Sequence, residues 1–192
     1  SDLRKIAFVG DYLPRKCGIA TFTHDLRHAV DQFATAECII VPVDDIAGGY
    51  DYPPEVRFQL SEQDLDSYRR AADFLNFSKV DVVSLQHEFG IYGGPGGGHI
   101  LAFLRDLRIP AVTTLHTVLP QPDATLRRAM DQLVELSTRL VVMTERSRSI
   151  LLAEYEVPEN KIDLIVHGIP DRPFADPNFY KDQFGVEGKD VG

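Results

Sequence analysis

Short, nearly continuous apolar runs alternate along this chain with segments of helical periodicity, and that alternation constrains its fold more than any other feature. The runs are KIAFV at 5–9, CIIVPV at 38–43, VDVVSL at 80–85, AVTTL at 111–115, LVVM at 140–143 and IDLIV at 162–166. A strand that is apolar on both sides is buried on both faces, as strands of a parallel sheet are. Between the runs, Ile19, Phe22, Leu26, Ala29, Val30 and Phe33 recur at helical intervals, as do Ile100, Leu101, Phe103, Leu104 and Leu107. Leu126, Ala129, Met130, Leu133 and Val134 mark another helix. A short strand is expected over 56–60, then a helix to Phe77 opened by a capping box at Ser61-Glu62-Gln63-Asp64. Thr144 is expected to cap a further helix over 145–155. Strand and helix thus alternate about six times, which predicts an α/β fold: a doubly wound, mostly parallel, Rossmann-like sheet with helices on both faces.

With 192 residues the chain holds one full domain and a tail. The domain is expected over 1–168. After Val166 the composition shifts to His167-Gly168-Ile169-Pro170, with Pro173 and Pro177 following, so 169–192 reads as a linker into a further domain. The formal charge is -9, from 29 acidic against 20 basic residues, which disfavours a nucleic-acid partner. Cys17 and Cys38 have neither disulfide-framework nor zinc spacing, which fits a reducing, cytoplasmic setting with no metal site. No apolar run approaches the roughly 18–20 residues that cross a bilayer.

In open parallel sheets ligands bind beyond the carboxyl ends of the strands, so the residues following each run are the candidates for chemistry. His116-Thr117 follows the strand at 111–115, and His87-Glu88 follows the strand at 80–85. The glycines at 93, 94, 96, 97 and 98 either let a backbone approach a ligand and hold an anion on their amides, or form a tightly turning connector. They lack a Walker A ending, and the region 10–18 lacks the dinucleotide fingerprint, so no bound NAD is expected. Gly18 starts a helix just after the first strand and would place free N–H groups at the sheet edge, with Arg15 and Lys16 adding positive charge. Glu145, Arg146 and Arg148 start another helix on the same side, where an arginine either binds a phosphate or hydroxyl or joins a surface ion pair. Asp44-Asp45 reads as a solvated loop rather than a metal site.

The order strand, Gly-led helix, AVTTL-His116-Thr117, LVVM-Thr144-Glu145 and KIDLIV-His167-Gly168-Ile169 resembles the amino-terminal half of retaining, nucleotide-sugar-dependent glycosyltransferases of the GT-B fold, group 1 or family 4 type. Cys17-Gly18 stands where that family commonly has Gly-Gly, and His167 where its hinge has Asn. The resemblance implies two Rossmann-like domains facing across a cleft, this half binding acceptor and a second, carboxyl-terminal domain holding the nucleotide sugar. It implies a catalytic role for His116 at the donor sugar or reacting centre, and places Lys16, Gly18 and Ile19 at the donor phosphate or sugar. It assigns His87, Glu88, Gly93, Gly94, Thr117, Glu145 and Arg148 to the acceptor side. The nucleotide sugar enters as substrate, with no separate cofactor, and the acceptor is a carbohydrate or another hydroxyl compound. Peripheral membrane contact of the longer protein stays open. A helix amino terminus and a neutral histidine donor would stabilise the leaving phosphates and position the acceptor hydroxyl. The 192 residues alone are expected to be inactive.

Two other readings share these residues. The parent is a sugar epimerase or phosphorylase of the same two-domain architecture, or the chain is a stand-alone ligand-binding domain without chemistry.

Overall fold

The computed structural model describes residues 3–168, in which seven strands form one sheet in the order β3-β2-β1-β4-β5-β6-β7, every pair parallel. The strands are β1 (Lys5–Gly10), β2 (Glu37–Asp44), β3 (Leu60–Ser61), β4 (Val82–His87), β5 (Ala111–Leu115), β6 (Arg139–Val142) and β7 (Ile162–Leu164). The helices are α1 (Gly18–Phe33), α2 (Leu65–Phe77), α3 (His99–Asp106), α4 (Ala124–Leu136) and α5 (Glu145–Ala153). The expected doubly wound α/β sheet is therefore present, with its strands running apolar because helices cover both faces.

The chain builds outward from β1 through β2 to β3, then crosses back to β4 and continues the other way. Right-handed crossovers put α1 on one face and the later helices on the other. Side-chain alternation records the split. Ile6, Phe8, Cys38 and Ile40 pack with Leu26 and Val30 of α1, whereas Ala7, Val9, Ile39, Val41, Val83 and Leu85 join the larger core under α2, α3 and α4. Neighbouring strands diverge in their connections between β1 and β4, the switch point at which such sheets open a crevice.

Two local expectations are corrected. The strand expected over 56–60 reduces to Leu60–Ser61, with one further bridge from Val56 to Ile40. From Ile40 to Val43 the chain of β2 advances three residues, while its partner advances four from Val56 to Leu60, so one residue is extra and the ladder cannot run through. The capping box is replaced by Asp64, whose side chain accepts the Asp66 N–H at 3.1 Å. Ser61 is committed to β3, and its own N–H donates to Ser67 Oγ at 3.0 Å, so it is not free to cap the helix. Thr144 caps α5 as expected, accepting from Ser147 N at 3.1 Å. The region 169–192, where a linker and a further domain were expected, lies outside the described residues. Among the described residues no helix is long and apolar enough to cross a membrane.

Candidate functional site

A cavity of about 480 Å³ opens at the carboxyl edge of the sheet, over the β1–β4 switch point. The turn after β1 and the first turns of α1 supply Asp11, Arg15, Cys17, Gly18, Ile19 and Phe22. The loop after β4 supplies Glu88 and Ile91, the end of β5 supplies His116, and Met143 and His167 close the side toward β6 and β7.

The floor of this cavity is a charged turn. Asp11 is 1% exposed; its Oδ1 accepts from Arg15 Nη1 at 2.8 Å and its Oδ2 from the Cys17 thiol at 3.3 Å. Arg15 also donates to the carbonyl of Val43 at 3.3 Å and lies 3.4 Å from Asp45. Burial pushes the Asp11 carboxyl up to about 6, and the Arg15 guanidinium only partly offsets it. Cys17 caps α1, its sulfur accepting the Ala20 N–H at 3.3 Å. A Cβ built on Gly18 meets nothing within 4 Å, so the amino end of α1 is open toward the cavity.

His116 forms one wall. Its Nε2 lies 2.9 Å from Gln86 Oε1, and the Phe22 ring stands edge-on to it at 4.6 Å between centroids. Burial, aided by His167, lowers its pKa to about 4, so the imidazole is neutral near pH 7. Glu88 is anchored from both sides: Oε1 accepts its neighbour's N–H, from Phe89, at 2.9 Å, and Oε2 accepts the Thr117 hydroxyl at 2.7 Å.

The structure therefore brings Gly18, Ile19, Glu88 and His116 to one cavity, with Thr117 bonded to Glu88 at its margin. It separates the others. His87 faces the opposite side of the sheet from His116, because the side chains of consecutive strand residues alternate and His116 shares the face of Gln86. It is 4% exposed among Phe89 and Tyr92, and burial lowers its pKa to about 4. The glycine run is a packed turn. The N–H groups of Gly97, Gly98 and His99 donate to the carbonyls of Gly94, Pro95 and Gly93, and a Cβ on Gly93 would come within 2.0 Å of the Glu62 carbonyl oxygen. Those amides are spent inside the turn, and Gly93 and Gly94 pack against His99 instead of lining the cavity. Lys16 is exposed and points no atom into the lining. Arg148 pairs with Glu159 and, at 3.9 Å, with Glu145, which is largely exposed.

Asp11, Phe22, Met143 and His167 escaped the sequence reading as site residues. Asp11 and Met143 each come directly after an observed strand, but in the sequence Met143 reads as the end of the apolar run 140–143 and Asp11 stands beyond Gly10, so the rule that selected His116 reaches them only once the strand ends are known. Phe22 carries no such signal, since it sits in the apolar stripe of α1. Among the described residues no group of three or more His, Cys, Asp or Glu side chains is placed to hold a metal ion.

Residues 18–172 match the sequence model described as Glycosyltransferase Family 4. The chain belongs to Glycosyltransferase Family 4. The match begins at Gly18, the first residue of α1, and runs through the end of the sheet, so the walls of the cavity of this family 4 domain come from matched residues, whereas the floor at Asp11, Arg15 and Cys17 precedes the match. No curated protein sequence matches the chain. Among solved structures, it is similar to a glycosyltransferase from Rickettsia africae ESF-5, with TM-score 0.65 and 13% identity over 97% of this chain and 50% of that one. It is also similar to an alpha-glucosyltransferase solved with UDP and a 13-mer DNA containing an HMU base, with TM-score 0.55 and 13% identity over 82% of this chain and 41% of that one. These likenesses carry the fold, that of a Rossmann-like GT-B domain. The family 4 domain spans about half the length of the structures it matches.

Proposed function

We propose that this family 4 domain is the amino-terminal, acceptor-side half of a retaining glycosyltransferase that moves a sugar from a nucleotide donor to a hydroxyl acceptor. The observation that carries the reading is the cavity at the β1–β4 switch point, where the open amino end of α1 and the neutral His116 face the same space. In this reading the first turn of α1, at Gly18 and Ile19, receives the donor diphosphate, and its dipole and N–H groups favour the charge that develops on the leaving phosphate. His116 contacts the donor sugar or the reacting centre. Glu88, held by Thr117 and Phe89, offers carboxylate oxygens to acceptor hydroxyls. Arg15 is already neutralised by Asp11 and Asp45, so most of the charge compensation for a diphosphate falls to a second domain. The nucleotide sugar is a substrate, and no separate cofactor is invoked. UDP in the similar alpha-glucosyltransferase supports a nucleotide donor. The DNA in that complex does not transfer, because a chain of charge -9 is a poor match for a polyanion.

The test is sugar transfer by a polypeptide that carries this domain and its continuation, with a panel of nucleotide sugars and anomeric configuration read by NMR. Turnover that falls at least about 100-fold in His116→Ala, with the unfolding midpoint little changed, supports the reading. Equal losses in both make His116 a core histidine. Transfer by the 192 residues alone would overturn the need for a second domain.

A further inference from the structure

We infer that Gln86 is a positioning residue, which holds His116 in the tautomer protonated on Nε2 and leaves Nδ1 as the hydrogen-bond acceptor of the ring. Its use in turnover rests on the transferase reading above; the tautomer itself stands on the geometry alone.

Gln86 is 0% exposed, in the next-to-last position of β4. A buried amide needs partners for both ends, and Gln86 has them. Its Oε1 lies 2.9 Å from His116 Nε2, and its amide nitrogen donates to Ser84 Oγ at 3.3 Å. Its own backbone carbonyl accepts the Tyr92 hydroxyl at 2.5 Å, which fixes the strand at this residue. The side chain passes over Gly10 of β1, where a Cβ would stand 2.9 Å from Gln86 Cβ and 3.3 Å from Cγ. Gly10 also has φ +155, so a side chain there is excluded by both space and backbone. The first strand thus yields room for the Gln86 stem, and the stem carries the amide to the imidazole.

The ring is held on its other side by Phe22, edge-on at 4.6 Å and 90°. A neutral imidazole has a single N–H. With Oε1 accepting on Nε2, that proton is committed to Gln86, and Nδ1 keeps its lone pair. The ionisable groups that share the cavity with His116 are His167, whose ring also meets Phe22, and Glu88, Asp11 and Arg15, while His87 lies on the far side of the sheet. The carboxylates of Glu88 and Asp11 accept from Thr117, Phe89, Arg15 and Cys17, and among the described contacts the His116 ring bonds to Gln86 alone. The expectation of a histidine donor is thereby turned around. His116 receives a hydrogen bond from a sugar or acceptor hydroxyl and can steer that hydroxyl, while its proton stays on the protein side.

The experiment is long-range proton–nitrogen NMR on the 192-residue chain labelled with 15N-histidine, in the wild type and in Gln86→Met, Gln86→Glu and Gly10→Ala. The expected wild-type result is one His116 tautomer with the proton on Nε2. Gln86→Met, which keeps length and removes the acceptor, should give a mixture of tautomers, and Gly10→Ala should do the same by displacing the stem. Gln86→Glu keeps the shape and should raise the His116 pKa by about one to three pH units, since a carboxylate then faces the imidazole. If Gln86→Met fails to fold, the near-isosteric Gln86→Glu still decides through that pKa. A wild-type signal with the proton on Nδ1 overturns the inference, because the amide is then turned the other way. So does an unmoved tautomer in Gln86→Met, or an unmoved pKa in Gln86→Glu. Absence of sugar transfer in the longer enzyme alongside an intact Nε2 tautomer would sink only the transferase reading.

Discussion

Thr117 Oγ1 donates to Glu88 Oε2 across 2.7 Å, and this bond ties the loop after β5 to the loop after β4 at the mouth of the cavity. The two residues are far apart in the chain, and the β4–β5 ladder brings them together, continued one step by the His116 N–H donating to the His87 carbonyl at 2.9 Å. A double-mutant cycle of Thr117→Val and Glu88→Ala should return a coupling of about 1 kcal/mol in urea unfolding, reduced from the buried value by partial exposure. Strictly additive losses would mean the loops are held by other contacts.

Stability should fall as the solution is acidified from pH 7 to 5. His87 and His116 both have pKa values lowered to about 4, principally by burial, from the ordinary histidine value of 6.5. The unfolded chain therefore takes up protons first, so their contribution is complete above about pH 6.5 and is lost as pH drops toward 4. For the fully buried His87 this amounts to about 2 kcal/mol by pH 5, at 1.36 kcal/mol per pH unit. His87→Phe places a ring of similar size among Phe89 and Tyr92 and removes Nδ1, which has no hydrogen-bond partner among the described residues. Urea midpoints at the two pH values should show a flatter profile in the variant than in the wild type; parallel profiles would contradict the assignment.

Truncation of Arg15 should cost far more stability than truncation of Arg148. Arg15→Ala leaves Asp11, 1% exposed, without its main countercharge, and a broken buried pair costs about 3–5 kcal/mol. Asp11 has its pKa raised from 3.8 to about 6 by burial, so the stability it contributes is full below about 3.8 and lost as pH rises through 6. The Arg15→Ala penalty should accordingly be larger at pH 7 than at pH 5. Arg148 pairs with Glu145 and Glu159 at the surface, and its truncation should change stability by less than about 1 kcal/mol. Denaturant titrations of both variants at the two pH values provide the check.

The two glycine sites should separate folding from binding. A methyl group on Gly93 would collide with the Glu62 carbonyl at 2.0 Å and with His99 Nδ1 at 2.8 Å, so Gly93→Ala should destabilise by about 1–3 kcal/mol. Gly18 has open space around its Cβ position, so Gly18→Ala should leave stability within about 0.5 kcal/mol. In a polypeptide carrying the proposed second domain the same methyl group would stand where the donor phosphate is proposed to approach, and KM for the nucleotide sugar should rise. A Gly18→Ala enzyme with unchanged KM would move the phosphate elsewhere.

Legibility in the sequence followed the range of the interactions. The strands at 5–9 and 111–115 could be read because a strand buried on both faces must be apolar throughout, and α1 because its apolar stripe repeats at helical intervals. His116 could be read because it follows such a strand directly. The failure over 56–60 was one of register: a single extra residue opposite β2 ends the ladder, and periodicity within one segment does not report the count in its partner.

Local pattern by itself determined the alternation of strands and helices, the sheet edge at which a ligand site is expected, and the candidacy of His116, since each depends on neighbours in sequence. The tertiary structure alone decided that His87 and His116 lie on opposite faces, that the glycine run packs on Glu62 and His99, that Asp11 and Phe22 line the cavity, and that Gln86 is buried behind His116. These relations arise between strands and helices distant in the chain, where strand order and register fix which side chains meet, and no short stretch of sequence encodes either.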